Sequence, residues 1–395
     1  MDPLKILGRK SPLFVSDMER FDDTLTNTIR ASSFLVLGGA GTIGQAVTKE
    51  IFARNPLRLH IVDISENNLV ELVRDLRSSD GYISGEFQTY ALDIGSPEFD
   101  SYIAQVGKFD YVLNLSALKH VRSERDPYTL MRMVRVNILN AVKAVKLAAR
   151  LGAKKYFCVS TDKATNPVNM MGASKQIMEL FLSSWSSEVN FSTARFANVA
   201  FSDGSLLHGF ERRLEKNQPI VIPNKVRRYF ISGKESGQLC LLSCILGANR
   251  DIFFPKLKDD FHLTDFKYIA EQYLKYKSLV PIYLNSEEEA RIFAANNLTG
   301  KEWPCYCSKS DTTGEKEFEE FFTSSETIDY HKFDDIGIIK PSVYFDKDKL
   351  DVFENNIEVM IDKKEWKKID LVNMFQELLP EFEYNDVGFF LDDKM

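Results

Sequence analysis

The sequence predicts an α/β fold, with a doubly wound parallel sheet followed by a smaller C-terminal α+β domain. Three observations predict it. Short apolar runs alternate with amphipathic helical stretches from residue 34 to about residue 200, which calls for parallel strands joined by right-handed crossovers. The first run leads straight into Gly38-Gly39-Ala40-Gly41-Thr42-Ile43-Gly44, and a helical pattern follows. From about residue 201 the pattern loosens into short elements and loops. The expected divisions are an N-terminal extension at 1–30, the parallel-sheet domain at 31–205, and a second domain with a C-terminal extension at 206–395.

The chain has 395 residues, enough for one large core or two domains. Its net charge of −7, with no basic stripe, argues against nucleic acid as the main partner. The start, Met1-Asp2-Pro3-Leu4-Lys5, has no apolar core of the signal-peptide kind. The longest apolar run, around Leu239 to Ala248, is about half the ~20 residues of a membrane helix. A cytoplasmic protein without a membrane span is expected. The cysteines (Cys158, Cys240, Cys244, Cys305 and Cys307) do not form the paired CxxC of a zinc site, so reduced thiols and no metal are expected.

Taken in order, residues 1–30 are mixed in polarity, and Ser16 to Glu19 with Leu25 and Ile29 suggest one or two helical turns. Phe34 to Leu37 is a buried strand. The glycines at 38, 41 and 44 follow it, and Ile43, Val47, Ile51 and Phe52 line one helix face. Glycine permits the tight turn and lets backbone N–H groups approach a pyrophosphate at the positive helix end. The last glycine lets helix and strand pack closely. A glycine pattern alone is weak evidence, but strand before and helix after are the Rossmann-type context. Gly38, Gly41, Thr42, Ile43 and Gly44 are therefore candidate cofactor residues. The next strand, Leu59 to Val62, ends in Asp63, 19 residues past Gly44, where such folds place the carboxylate that binds a ribose 2′-hydroxyl. A carboxylate repels a 2′-phosphate, so NAD is favoured over NADP. The blander role for Asp63 is helix entry, which Ser65 is better suited to fill.

Ser65 to Ser79 is an amphipathic helix, and Phe87, Thr89 and Ala91 alternate as a third strand toward Asp93-Ile94, a candidate adenine contact. Phe109 to Leu115 is a fourth strand that runs into Ser116-Ala117 and then Lys119-His120. Asp126-Pro127 opens a long helix containing Asn137. Lys155 to Val159 is a fifth strand. It delivers Ser160-Thr161-Asp162-Lys163, a hydroxyl, a carboxyl and an amine together, to the strand ends where ligands sit in open α/β sheets. Asn166-Pro167 breaks the chain, and Asn169 can cap the helix that carries Met171 and Lys175. Alone, this stretch would pass for a polar strand-to-helix loop. Phe191 to Phe196 is a sixth strand leading to Asn198, and Arg227-Arg228-Tyr229-Phe230 is basic and aromatic together. Guanidinium groups bind phosphate bidentately, although a solvated surface pair would look the same.

These motifs together resemble an extended short-chain dehydrogenase/reductase, in particular the UDP-N-acetylglucosamine 4,6-dehydratase family. The specific residues are Ser160-Thr161-Asp162-Lys163-Ala164 with Asn166-Pro167, then Met171-Gly172-Ala173-Ser174-Lys175. Ala117-Leu118-Lys119-His120-Val121, Arg195-Phe196-Ala197-Asn198-Val199 and Arg228-Tyr229-Phe230 support them, and Thr313-Gly314-Glu315-Lys316 is a weaker echo. The resemblance runs from about residue 34 to 235. It implies an NAD-binding Rossmann domain at 31–205, a substrate-binding domain at 206–395, tightly bound and recycled NAD, a UDP-sugar substrate and a homo-oligomer. It implies oxidation at C-4, loss of water across C-5 and C-6, and return of the hydride to C-6. Lys163 would be the base at C-5, Asp162 the acid for the leaving hydroxyl, and Thr161 a partner near the 4-hydroxyl. Lys175 would hold the nicotinamide ribose. Ser116, Ala117 and Asn137 are expected near the cofactor, and Lys119, His120, Asn198 and Arg228 near the substrate.

One departure matters. Members of the superfamily usually carry Tyr four residues before the active-site Lys, and here that position is Met171. A thioether has no proton to exchange. A branch of the dehydratase family resembles the chain in this respect, so the base at the 4-hydroxyl stays open. Two alternatives remain at this point: a UDP-sugar 4-epimerase, for which Asp162-Lys163 would be superfluous, and a non-catalytic NAD-binding module, which Met171 favours.

Overall fold

The computed structural model describes residues 2–258, 261–296, 300–309, 316, 318, 320–341, 345–386 and 388. Its centre is a nine-stranded sheet. Strands β1 (Ser33–Leu37), β2 (Arg58–Asp63), β3 (Glu86–Ala91), β4 (Tyr111–Asn114), β5 (Lys155–Thr161) and β6 (Phe191–Phe196) lie in the order 3-2-1-4-5-6, all parallel. β1, β4, β5 and β6 are buried on both faces because helices cover both sides, as in doubly wound sheets. The strand order reverses between β1 and β4, which opens a crevice at their carboxyl ends.

The helices are α1 (Pro3–Ile6), α2 (Val15–Arg30), α3 (Thr42–Phe52), α4 (Glu66–Ser79), α5 (Pro97–Val106), α6 (Pro127–Val134), α7 (Asn140–Leu151) and α8 (Met170–Ser184). Local chemistry sets their starts. Ser65, Ser96, Asp126 and Asn169 each accept a first-turn N–H, and Pro97 and Pro127 occupy positions where a missing N–H costs nothing. The expected long helix containing Asn137 is α6 and α7 joined through one π-turn, Arg135–Leu139.

Two expectations need correction. The N-terminal segment holds the sixteen-residue α2 rather than one or two turns, because Leu25 and Ile29 reach the core and buried Asp17 accepts the N–H groups of Asp334 and Asp335. The sheet also continues past residue 205. Strand Asp251–Pro255 adds parallel to β6, then Ile336–Lys340 and Thr327–Asp329 add antiparallel. These strands present alternating or continuous apolar faces, and pairing satisfies backbone groups that burial would otherwise orphan.

The rest forms two packed regions. Strands Ile220–Pro223, Glu302–Ser308 and Val280–Leu284 make a small parallel sheet, with helices Leu206–Glu215 and Phe266–Tyr276 against it. Helices Lys347–Lys363 and Lys368–Leu378 bury Leu350, Phe353, Ile357, Leu371 and Phe375 against Leu130, Met131, Met170, Met171 and Phe181 of α6 and α8. Residues 387 and 389–395 lie outside the described set. No described helix is long and apolar enough to cross a membrane. Cys158, Cys240, Cys244 and Cys305 are buried thiols, Cys307 is partly exposed, and no described cluster is placed to hold a metal.

Candidate active site

The crevice begins at the glycine loop. Gly38 has φ +72°, and an added Cβ would lie 2.6 Å from the backbone N of Ser116, so the loop after β1 and the loop after β4 touch only because Gly38 has no side chain. At Gly44 an added Cβ would lie 2.2 Å from the Gly38 carbonyl oxygen, which places the loop directly on the first turn of α3. Gly41 is the N-cap of α3 and makes no side-chain cap, so this helix end offers backbone N–H groups. Ile43 packs beside the core at the start of α3. Asp63 stands at the end of β2. It accepts the Ala40 N–H at 2.9 Å on one oxygen and the Ser65 N–H at 2.9 Å on the other. It therefore serves helix entry as well as bracing the glycine loop. Each oxygen keeps lone-pair capacity for a ribose hydroxyl. Glycine cradle, helix end and carboxylate together fit a dinucleotide.

Asp93 accepts the Gly95 N–H at 2.8 Å, and Ile94 packs into the core with Val62 and Phe99. Ser116 and Ala117 line the switch point after β4, with the Ser116 N–H held by buried Asn114. Asn137 is itself buried: it accepts the Leu118 N–H (2.8 Å) and donates to the Leu118 carbonyl (3.0 Å) and to Ser174 Oγ (3.0 Å). Its amide thus ties the loop that carries Lys119 and His120 to the helix that carries Lys175. A π-turn beside such a residue is a common way to re-aim a side chain at a functional site.

The turn at 202–204 brings the expected cofactor and substrate residues together. The Asp203 N–H donates to Thr42 Oγ1 (3.0 Å), Lys119 Nζ donates to Ser202 Oγ (3.2 Å), and the His120 ring lies against Gly204. Burial lowers the pKa of Lys119 against the opposing pull of Asp203. Burial, then the neighbouring Lys119 and Arg122, lower that of His120. Neutral imidazole is the favoured form there.

At the end of β5, Asp162 is 1% exposed. Its Oδ1 accepts from Thr161 Oγ1 (2.9 Å) and from Lys163 Nζ (3.0 Å). Its Oδ2 is buried and has no hydrogen-bond partner among the described residues. One turn into α8, Met171 is buried and the Asn169 side chain accepts the Gly172 N–H at 2.8 Å, the cap read from the sequence. Lys175 is 4% exposed, and its ammonium donates to the Val159 carbonyl at 3.1 Å. Burial lowers its pKa, opposed by Cys158 and Glu179.

Asn198 donates to the Tyr229 carbonyl at 3.4 Å, pairing its strand with the Arg228 segment. Buried Arg228 donates to the carbonyls of Arg227 (2.8 Å) and Lys316 (2.9 Å). Lys316 in turn donates to the Thr165 carbonyl at 3.0 Å, which links Arg228 to the loop just past Lys163. Of the weaker C-terminal motif, Thr313 to Glu315 lie outside the described residues.

Three acidic residues had no place in the sequence reading. Glu179, one turn past Lys175, accepts from Ser160 Oγ (2.5 Å) and pairs with Arg195 (2.8 Å). Glu326 pairs with the same guanidinium (3.0 Å). Burial works against the charge on Arg195, but Glu179 and Glu326 outweigh it and raise its pKa. Glu124, fully buried, accepts the Met171 N–H at 2.9 Å. A carboxyl spaced i, i+4 from Lys175 was a visible hint for Glu179; nothing local marks the other two.

Residues 34–341 match a family model described as "Polysaccharide biosynthesis protein". A Methanocaldococcus jannaschii protein named "Uncharacterized membrane protein MJ1061" is 27% identical over 87% of this chain and 97% of its own length. A Campylobacter jejuni UDP-N-acetylglucosamine 4,6-dehydratase (inverting) is 28% identical over 57% of this chain and 67% of its own, and a Rickettsia bellii UDP-glucose 4-epimerase matches at the same identity. The fold resembles that of DesIV, a dTDP-glucose 4,6-dehydratase from Streptomyces venezuelae solved with NAD bound, with a TM-score of 0.55 and 14% identity over 73% of this chain and 87% of that one. The chain belongs to this polysaccharide biosynthesis family of extended short-chain dehydrogenase/reductases.

Proposed function

We propose that the chain is an NAD-dependent UDP-N-acetylglucosamine 4,6-dehydratase that yields a UDP-4-keto-6-deoxy-N-acetylhexosamine. The observation that carries this reading is the Thr161-Asp162-Lys163 arrangement, a buried carboxyl with one oxygen doubly held and the other without a partner among the described residues. Elimination of water needs one group to take the C-5 proton and another to protonate the leaving 6-hydroxyl. The C-5 proton becomes acidic only while C-4 is a ketone. NAD, when bound, would supply the hydride acceptor that makes that ketone and then the hydride donor at C-6, and the ketone stays in the product.

The chain's own residues do the rest. Lys163 takes the C-5 proton as the neutral amine, and Asp162 gives its proton to the 6-hydroxyl through Oδ2. After elimination the pair stands as ammonium and carboxylate, the state consistent with the 3.0 Å contact. After the hydride returns to C-6, Lys163 gives its proton back to C-5, and the proton lost from the 4-hydroxyl is the one that charges Asp162, directly or through a bound water, so the cycle balances in protons. Thr161 orients Asp162, and Lys175 holds the nicotinamide ribose and favours alkoxide at the 4-hydroxyl. Met171 cannot accept that hydroxyl's proton; Asp162 or a bound water takes it. Lys119, His120 and Asn198 face the sugar nucleotide, and Arg228 neutralises its diphosphate.

The test is incubation of the protein with UDP-N-acetylglucosamine without added NAD, followed by mass spectrometry and proton NMR. Loss of one water with a new 6-methyl signal supports the dehydratase with resident cofactor, and the C-5 coupling gives the stereochemistry. Unchanged mass with an altered C-4 signal supports the 4-epimerase, a reading the epimerase-named relatives favour. No change with any UDP- or dTDP-sugar, NAD supplied, supports a non-catalytic module.

A further inference from the structure

The two helices after residue 346 contribute more than apolar cover. Glu124 ends a single turn, Val121–Glu124, that leads from the Lys119-His120 loop, and it is fully buried. Its carboxyl caps the first turn of α8, accepting the Met171 N–H at 2.9 Å and interacting with the Met170 N–H as well. Oε2 of Glu124 and the hydroxyl of Tyr384 are both buried with no hydrogen-bond partner among the described residues, and Tyr384 packs against the apolar cluster that contains Leu130, Met170 and Met171. The segment carrying Tyr384 is itself anchored. Phe382 is buried, Lys368 pairs with Asp386 and lies over the Tyr384 ring, and Trp366 Nε1 donates to the Pro127 carbonyl at 2.8 Å.

We propose that Glu124 is a positioning residue: its carboxylate, supported by Tyr384 of the C-terminal arm, fixes the first turn of α8 and through it Met171 and Lys175. This rests on the reading of α8 as the carrier of the catalytic lysine. The physical logic is that a helix start offers unsatisfied N–H groups, and a carboxylate binds two of them more strongly than a neutral acid does. Where the usual tyrosine is replaced by Met171, no phenol on α8 is available to pin that turn from the ligand side.

Burial raises the pKa of Glu124 to about 7, while the Met171 and Met170 N–H groups, Lys368 and Tyr384 each pull it down. Lys368 and Tyr384 of the arm act on it, and Asp386 acts on Tyr384; Arg122 lies on its own turn and Arg125 just after it, and the first turn of α8 brings only backbone. Protonation near neutral pH therefore loosens the cap.

The test follows the infrared C=O stretch of protonated carboxyls in the full chain across about pH 5 to 9, with kcat and KM measured on the same samples. Glu124→Gln is expected to remove one titration near neutral pH. Tyr384→Phe is expected to move that titration to higher pH. Wild-type kcat is expected to decline as pH falls through the same midpoint at constant KM, and Glu124→Gln to abolish that decline. The proposal is overturned if Tyr384→Phe leaves the midpoint in place, or if the decline persists in Glu124→Gln. If the wild type turns over no sugar nucleotide, the functional reading fails separately. The coupling is then read from the pH dependence of NADH affinity by fluorescence, with the same shifts expected in the same variants. Far-UV circular dichroism checks folding, and Tyr384→Phe, which deletes one oxygen, serves where Glu124→Gln does not fold.

Discussion

The ammonium of Lys163 and the Thr161 hydroxyl converge on the same oxygen of Asp162, at 3.0 and 2.9 Å. That convergence leaves Asp162 Oδ2 buried and without a hydrogen-bond partner among the described residues. Asp162→Asn and Lys163→Ala are each expected to lower dehydration by about 10²- to 10⁴-fold, the usual worth of a positioned acid or base. NADH binding, measured by fluorescence, should survive both. Near wild-type turnover in either variant would remove that residue from its role.

Arg228 spends its donors on the carbonyls of Arg227 and Lys316. A diphosphate offers better acceptors. Charge-assisted hydrogen bonds contribute about 1.5–3 kcal/mol, so Arg228→Ala should raise KM roughly 10- to 100-fold with a smaller change in kcat. Steady-state kinetics checks this, and an unchanged KM places Arg228 outside the substrate pocket.

The glycine loop separates packing from ligand contact. Gly44→Ala forces a Cβ to 2.2 Å from the Gly38 carbonyl oxygen, whereas at Gly41 the nearest atom is 3.7 Å away. Gly44→Ala should lose about 1–3 kcal/mol of stability by overpacking. Gly41→Ala should keep its melting temperature and lose NADH affinity, because its added methyl faces the helix end. Equal melting temperatures for the two variants would refute this division.

Arg195 lies between Glu179 and Glu326 and is nearly fully buried. Removing it leaves a buried and a half-buried carboxylate without their cation. Arg195→Ala should cost about 3–5 kcal/mol, and Ser160→Ala about 1 kcal/mol, in urea denaturation. If Arg195→Ala costs no more than Ser160→Ala, the network is a surface-like contact.

Glu124 also makes a stability prediction. Its folded pKa of about 7 exceeds the ordinary glutamate value of 4.5. The folded state therefore holds the proton more tightly, and the resulting stability is full below about pH 4.5 and lost as pH rises through about 7. Relative to Glu124→Gln, the wild type should lose about 3 kcal/mol across that window, from 1.36 kcal/mol per unit. Denaturant midpoints of both proteins at several pH values measure it; parallel curves would show that Glu124 does not titrate there.

What the sequence by itself determined was local. Apolar runs alternating with amphipathic stretches announced β1 to β6 and their parallel order, since each strand and crossover is written in neighbouring residues. The caps at Ser65 and Asn169, and the Thr161-Asp162-Lys163 cluster, were legible for the same reason: their partners lie within three residues. The tertiary structure decided the rest. Whether Asp63 braces a loop, that Asn137 ties Leu118 to Ser174, and that Arg195 meets Glu326 across 131 residues depend on which surfaces meet. The strands at 327–340 closing the sheet depend on long-range pairing of buried polar groups. Such a group needs a partner once water is excluded, but many distant residues of suitable type can supply it, and only packing selects one.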